Sequence, residues 1–220
     1  DRSVSRGLGD VYKRQMSNSG KLIIFAAPSG AGKSSLIKKI IKDSENNLEL
    51  SVSATTRLPR EGETHGEDYF FINEKEFNEL KSNQAFLEFA DVHGHQYGTI
   101  KSFVDEKLKD GINVILDIDV QGFIQIQKAI IKDIISIFII PPSLDELKKR
   151  LLLRGLDSND AIDKRLENAR KELQQAENFD YLVLNDDFNM AYNEITSIIF
   201  DKDYEYNVTN NKNILEDLLN

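Results

Sequence analysis

Ala27-Pro28-Ser29-Gly30-Ala31-Gly32-Lys33-Ser34 is the stretch that decides the fold. An apolar run, Leu22-Ile23-Ile24-Phe25-Ala26, precedes it, and Leu36, Ile37, Ile40 and Ile41 follow at helical spacing. Strand, glycine-rich turn and helix, in that order, are the context in which a loop cradles phosphate. Gly30 and Gly32 have no Cβ, so the backbone can close around phosphate oxygens with its N–H groups turned inward. The helix that follows adds the positive end of its dipole. Lys33 supplies a mobile charge for the β- and γ-phosphates, and Ser34 supplies a hydroxyl for Mg²⁺. The general pattern is Gly-x-x-x-x-Gly-Lys-Ser/Thr, and Ala27 stands in place of its first glycine. An alanine is tolerated there if its φ is negative, because this residue turns the strand over instead of facing the phosphates. The loop specifies nucleotide phosphates and leaves the reaction open.

A chain of 220 residues makes one domain, or one core with insertions. Its 40% of hydrophobic residues suffice for a packed core, and its net charge of −9 argues against nucleic acid as a partner. The absence of Cys excludes disulfides, thiolate zinc sites and a Cys nucleophile, and fits a reducing, cytoplasmic setting. No apolar run approaches the roughly 18 residues that cross a membrane, so no membrane association is expected. Residues 1–15 are polar, lack the apolar core of a signal peptide, and precede a plausible start at Met16. They read as a disordered, non-native leader without a role in function.

Along the chain, residues 21–27 read as a buried strand and 33–43 as a helix. Residues 48–53 alternate like a half-buried strand, and Pro59 and Gly62 make the following stretch a loop bearing Arg57 and Arg60. Residues 69–72 and 86–90 read as strands, with a helix between them capped by Asn73 and Glu76. Residues 94–99 read as a turn into a helix over 101–110. Strands are expected at 112–119, 134–140 and 181–184, and helices at 122–131, 144–153, 160–176 and 188–201, with one more near the C-terminus. Alternating βα units predict an α/β fold with a parallel sheet. The segment from about 50 to 100 reads as an inserted lobe of short antiparallel strands.

Val114-Ile115-Leu116-Asp117 is an apolar strand ending in a carboxylate, the form that holds Mg²⁺ beside a phosphate loop. Asp119, two residues on, is read as pointing the same way along that strand. In the lobe, the guanidiniums of Arg57 and Arg60 and the phenols of Tyr69 and Tyr97 can clamp one phosphate monoester. Ser53, Glu88 and Thr99 are candidate base readers, since a carboxylate accepting from N1–H and an exocyclic amine selects guanine over adenine. Glu88 is equally readable here as a solvent-facing strand residue. Arg150, Arg154, Arg165 and Arg170 fall in a charged helix–turn–helix after Pro142, which is either a solvated hairpin or a flap that closes over a triphosphate. His65, His93 and His95 lack metal-like spacing and read as loop residues.

Over residues 21–200 the chain resembles the guanylate kinases. The resemblance rests on Pro28–Ser34, the run from Ser51 to Glu63, Gly66-Glu67-Asp68-Tyr69 and Tyr97-Gly98-Thr99. Leu116-Asp117-Ile118-Asp119-Val120-Gln121-Gly122, Pro141-Pro142-Ser143 and Asn185-Asp186-Asp187 complete it. Departures are Ala27, Ser35 where Thr is commoner, and the leader before Met16. The resemblance implies a P-loop NTPase core of three layers over 16–52, 100–142 and 177–206. It implies a GMP-binding lobe over 53–99, a helical lid over 143–176 and a C-terminal tail over 207–220. ATP with Mg²⁺ would sit on Gly30, Ala31, Gly32, Lys33, Ser34 and Ser35, with Asn185 and Asp186 near the adenine and Ser34 and Asp117 at the metal. GMP would be read by Ser53, Glu88, Thr99 and Asp119, and its phosphate held by Arg57, Arg60, Tyr69 and Tyr97. Lys33, Arg60, Arg154 and Arg165 would neutralise the transferring phosphoryl group. The implied reaction is ATP plus GMP to ADP plus GDP, by a cytoplasmic enzyme with no nucleic-acid or membrane partner and with room for a homodimer. Two rivals stand beside it. One is a related P-loop kinase acting on another phosphate monoester, such as a ribosyl phosphate, against which the base-reading set argues. The other is a peptide-binding scaffold of the same fold, against which the intact Gly32, Lys33, Ser34, Arg57 and Arg60 argue.

Overall fold

The computed structural model describes residues 19–44, 47–92, 94–128, 134–153 and 159–219. Its core begins with β1 (Leu22–Ala26), five apolar residues that are all buried. Continuous apolar runs of this kind belong to strands covered on both faces. A five-stranded sheet runs in the order β2 (Leu48–Leu50), β7 (Asn113–Asp117), β1, β8 (Ile134–Ile140), β9 (Tyr181–Leu184). The pairs β2/β7 and β8/β9 are parallel, with Leu48 opposite Asn113 and Ile140 opposite Leu184. By compactness the chain divides into two units, Asp1–Leu22 with Asn46–Ile115, and Ile23–Glu45 with Leu116–Asn220, so the division passes through β1 and β7 themselves.

The second unit carries the nucleotide-type core. Helix α1 (Lys33–Asp43) buries Leu36, Ile37 and Ile40 and turns Lys38 and Lys42 outward, as the 3.6-residue period requires. Helix α4 (Val120–Lys128) buries Val120, Phe123 and Ile126, and Phe123 stacks on Phe179 with ring centroids 3.9 Å apart. Helix α5 (Leu144–Leu153) starts at Ser143, whose Oγ accepts the Glu146 N–H at 3.0 Å. Helices α6 (Asn159–Leu173), α7 (Phe188–Phe200) and α8 (Val208–Leu219) follow. Asp187 caps α7 by accepting the Met190 N–H at 2.9 Å. Strand β9 lies at the sheet edge, where the Leu182 N–H donates to the Tyr206 hydroxyl and that hydroxyl donates to the Leu182 carbonyl, each at 2.7 Å.

The first unit holds a four-stranded sheet in the order β4 (Phe70–Phe71), β3 (Ala54–Thr55), β6 (His95–Ile100), β5 (Phe86–Val92). Two helices accompany it, α2 (Glu74–Ser82) and α3 (Lys101–Lys109), and the Asn73/Glu76 capping box of α2 is formed in both directions. Three sequence expectations are corrected here. Residues 94–99 are mostly strand β6, not a turn. Gly98 is there for close packing, because a Cβ would stand 2.9 Å from Phe86 Cδ1, and only Gly94, with φ +82°, serves the hairpin turn. The sheet is not wholly antiparallel. β3 pairs with β4 in parallel, since the long loop between them brings the chain back beside itself in the same direction. The strand expected over 48–53 stops at Leu50, and residues 51–53 lead into β3.

Candidate active site

The phosphate loop takes its shape from two backbone positions. Gly30 and Gly32 have φ of +96° and +98°, which a Cβ would strain, and Gly32 leads directly into α1. Among the described residues only Gln84 is a non-glycine with positive φ, so Ala27 meets the condition under which alanine is tolerated. With no side chain capping it, the first turn of α1 offers its N–H groups to an anion.

Three elements of the second unit surround this loop. Lys33 Nζ lies 2.5 Å from Asp117 Oδ1 at the end of β7 and donates to the Ile118 carbonyl at 3.0 Å. Ser34 Oγ donates to Asp117 Oδ2 at 3.4 Å, so one carboxylate receives both polar groups of the loop. From α6, Arg165 Nη1 donates to Ser29 Oγ at 3.4 Å. Beyond β9, Asn185 is buried, and its carboxamide donates to the Ala31 carbonyl at 2.6 Å. Its backbone carbonyl accepts both Arg150 Nη1 and Nη2 at 3.2 Å. A Cβ on Gly32 would run into that carboxamide, so positions 32 and 185 are interlocked. Gly30, Gly32, Ser35, Arg150, Asn185, Asp186 and Phe188 line a cavity of about 340 Å³. Asp186 itself is exposed.

Asp119 departs from its expected placement. The strand ends at Asp117, and Asp119 lies in the turn, where its Oδ1 accepts the Gly122 N–H at 2.8 Å and caps α4. Glu172 on α6 is half-buried, and burial pushes its carboxyl up to about 7 against the pull of Lys33, with Asp119 adding to the rise. Arg154 lies outside the described residues, as does His93.

In the first unit, antiparallel register sets Glu88 opposite Thr99. Both are buried, at 5% and 0% exposure, and the Thr99 hydroxyl donates to Glu88 Oε1 at 2.6 Å. The solvent-facing reading of Glu88 therefore fails. Residues 86–90 do not alternate, so the sequence alone assigns Glu88 to neither face, and the strand's register is irregular between Phe86 and Glu88. Ser53 is half-buried at the entry to β3, where its carbonyl accepts the Phe70 N–H at 2.9 Å.

Arg57 lies over the Tyr69 ring at 5.4 Å, and Tyr69 meets Tyr97 edge-on with centroids 5.9 Å apart. Its guanidinium is held by Glu63, donating from Nη1 to Oε2 and from Nη2 to Oε1, each at 2.9 Å. This pairing raises Arg57 and, from the other side, lowers Glu63 below the usual carboxylate range. Arg60 is exposed, and its backbone N–H also donates to Glu63 Oε2, at 2.7 Å. Sequence reasoning gave Glu63 no role, nor did it foresee the Asn185 and Arg150 contacts, which join residues with no characteristic spacing. His65 packs edge-on against Phe70, and no cluster of metal-ligating side chains occurs among the described residues.

Comparison with known proteins gives one answer. A family profile described as guanylate kinase matches residues 19–202. The guanylate kinase of Shewanella oneidensis is 46% identical over 184 residues, covering 84% of this chain and 88% of that protein. That of Legionella pneumophila (strain Lens) is 50% identical over 182 residues, covering 83% and 86% respectively. The crystal structure of guanylate kinase from Anaplasma phagocytophilum matches with a TM-score of 0.66 at 31% identity, over 83% of this chain and 85% of that one.

Proposed function

We propose how this chain, which belongs to the guanylate kinase family and transfers the γ-phosphoryl group of ATP to GMP, divides that reaction among its residues. The observation that carries the reading is the buried Glu88–Thr99 pair. A carboxylate held by a threonine hydroxyl in an apolar sheet suits a base that offers adjacent N–H donors, and guanine offers them where adenine does not.

On the donor side, ATP phosphates take the N–H groups of residues 30–35, and Lys33 exchanges Asp117 for the β- and γ-phosphates. Asn185 and Asp186 serve the adenine end. Ser34 and Asp117 would hold Mg²⁺. The fit is chemical, since a hydroxyl and a carboxylate 3.4 Å apart are the hard oxygen donors this cation takes. When bound, Mg²⁺ neutralises charge on the phosphate oxygens.

On the acceptor side, Arg57, Arg60, Tyr69 and Tyr97 hold the phosphate of GMP, and Ser53, Glu88 and Thr99 read its base, with Asp119 assigned to GMP as well. An oxygen of the GMP phosphate forms the new bond to γ-phosphorus while the bond from γ-phosphorus to the ADP oxygen breaks. That phosphate is already a nucleophile, so the residues supply alignment and charge neutralisation, not a strong base. Arg60, Arg154 and Arg165 take up the charge that spreads over the transferring group. Residues 53–99 act as the acceptor lobe and 143–176 as a lid. Closure needs both substrates, because water in an open site would compete for the phosphoryl group.

ADP release measured with GMP and with AMP at equal Mg-ATP tests the reading. ADP is expected with GMP and little with AMP. Comparable rates with both would remove the base-reading role of Glu88 and Thr99.

A further inference from the structure

Glu63 has no part in the reading above, yet three hydrogen bonds of the acceptor loop end on its carboxylate. Its own N–H donates back to the Arg60 carbonyl at 3.1 Å, so the 60–63 turn is closed by backbone and side chain together. The geometry of a guanidinium makes this informative. Its five N–H bonds lie in one plane. One hydrogen from each Nη forms an end-on fork, while Nε–H and the other Nη2 hydrogen form a side-on fork. Glu63 fills the end-on fork of Arg57, at 2.9 Å on both arms. The remaining Nη1 hydrogen goes to the Leu58 carbonyl at 2.8 Å. The Tyr69 ring, 5.4 Å from Cζ, and the Phe71 ring, 5.7 Å away, hold the guanidinium plane. Those bonds leave the side-on fork to the Tyr97 hydroxyl, which bonds the same guanidinium and which a second anion would join or displace on that edge.

We infer that Glu63 is a positioning residue for the acceptor phosphate: by occupying the end-on fork of Arg57 and closing the 60–63 turn, it presents the Nε/Nη2 edge to the phosphate. This rests on Arg57 being the phosphate's anchor, as proposed above. The carboxylate remains in place when substrate binds. It does not compete with the phosphate, because the two anions use different edges of one planar cation.

The test is a double-mutant cycle of Glu63→Gln and Arg57→Ala in the full chain, with KM for GMP, KM for ATP, kcat and Tm measured for each variant. Glutamine keeps the size of Glu63 but sets an N–H₂ against one arm of the fork. Glu63→Gln is expected to raise KM for GMP about tenfold while kcat and KM for ATP stay within about twofold. In the Arg57→Ala background the same change should add less than about twofold. Glu63→Asp, which keeps the charge one methylene short, should fall between Glu and Gln. An unchanged KM for GMP in Glu63→Gln overturns the inference, and a lowered one would make Glu63 a competitor of the phosphate. Additive effects would also overturn it, as would a fall in Tm with the kinetic constants unmoved, which is the mark of a merely structural residue. An Arg57→Ala variant with normal KM for GMP would remove the phosphate site itself, a failure distinct from that of Glu63 alone.

Discussion

Lys33 leans on Asp117 in one unit, and Arg57 leans on Glu63 in the other. Both are cation–carboxylate pairs at the proposed nucleotide sites, and both are largely sheltered from solvent. They differ in how firmly the cation is held. Lys33 is a point charge on a flexible stem, touching one carboxylate oxygen and one backbone carbonyl. Its partner is the group that a metal would claim. Arg57 is a planar fork fixed at two points, with aromatic rings beside its plane and a backbone carbonyl on a further N–H. On the proposed assignment, the donor side holds a charge that has to move, and the acceptor side a charge that has to stay. Phosphoryl transfer needs both, since charge migrates on the donor phosphates while the attacking oxygen must be held in line.

The contrast breaks most sharply at Lys33. Lys33→Met should lower kcat on the order of 10³-fold while KM for GMP changes little, because the lost charge acts on the transferring group. Steady-state kinetics with both substrates varied would show this, and a variant defective only in KM for ATP would mean that the charge does not move. Arg57→Lys comes next. It keeps the charge and loses the fork, so KM for GMP should rise roughly tenfold with kcat nearly intact. A lysine that serves as well would erase the distinction between held and mobile cations.

The smallest effect is in stability against pH. Glu172 titrates near 7 in the fold and well below that when unfolded, so between those values the folded chain binds more protons than the unfolded one. Its contribution is therefore complete in acid and declines as pH rises through 7. Glu172→Gln removes the decline, and the variant should gain on the order of 1 kcal/mol over the parent between pH 5 and 8. Urea unfolding at the two pH values measures it, and an equal difference at both would show that Lys33 compensates the buried carboxylate fully. Glu63 shifts the other way, because the Arg57 guanidinium and the Arg60 N–H both bond its carboxylate.

The two units also differ in how much of them can be read from sequence. The phosphate loop was legible because its shape demands glycine at residues 30 and 32, and such demands leave a pattern. The capping box at Asn73 was legible for the same local reason. Strand β8 announced itself as a β-branched apolar run broken only at Ser136. What stayed hidden depends on tertiary register. Gly98 looked like a turn residue because nothing nearby in sequence says that the Phe86 ring lies against it. The burial of Glu88 depends on its cross-strand partner Thr99, and the turn position of Asp119 on where β7 happens to end. The Asn185 carboxamide reaches the loop across 154 residues, a distance over which spacing carries no information. Motif resemblance supplied the acceptor residues that periodicity could not.

Tyr206 has a consequence for the sheet as a whole. A bare edge strand is a template onto which any extended segment can add itself. At β9 one phenol answers the Leu182 amide and carbonyl together, the two bonds that a further strand would have made at that residue. The growth of the sheet at that edge is blocked at Leu182 by a side chain from the same polypeptide.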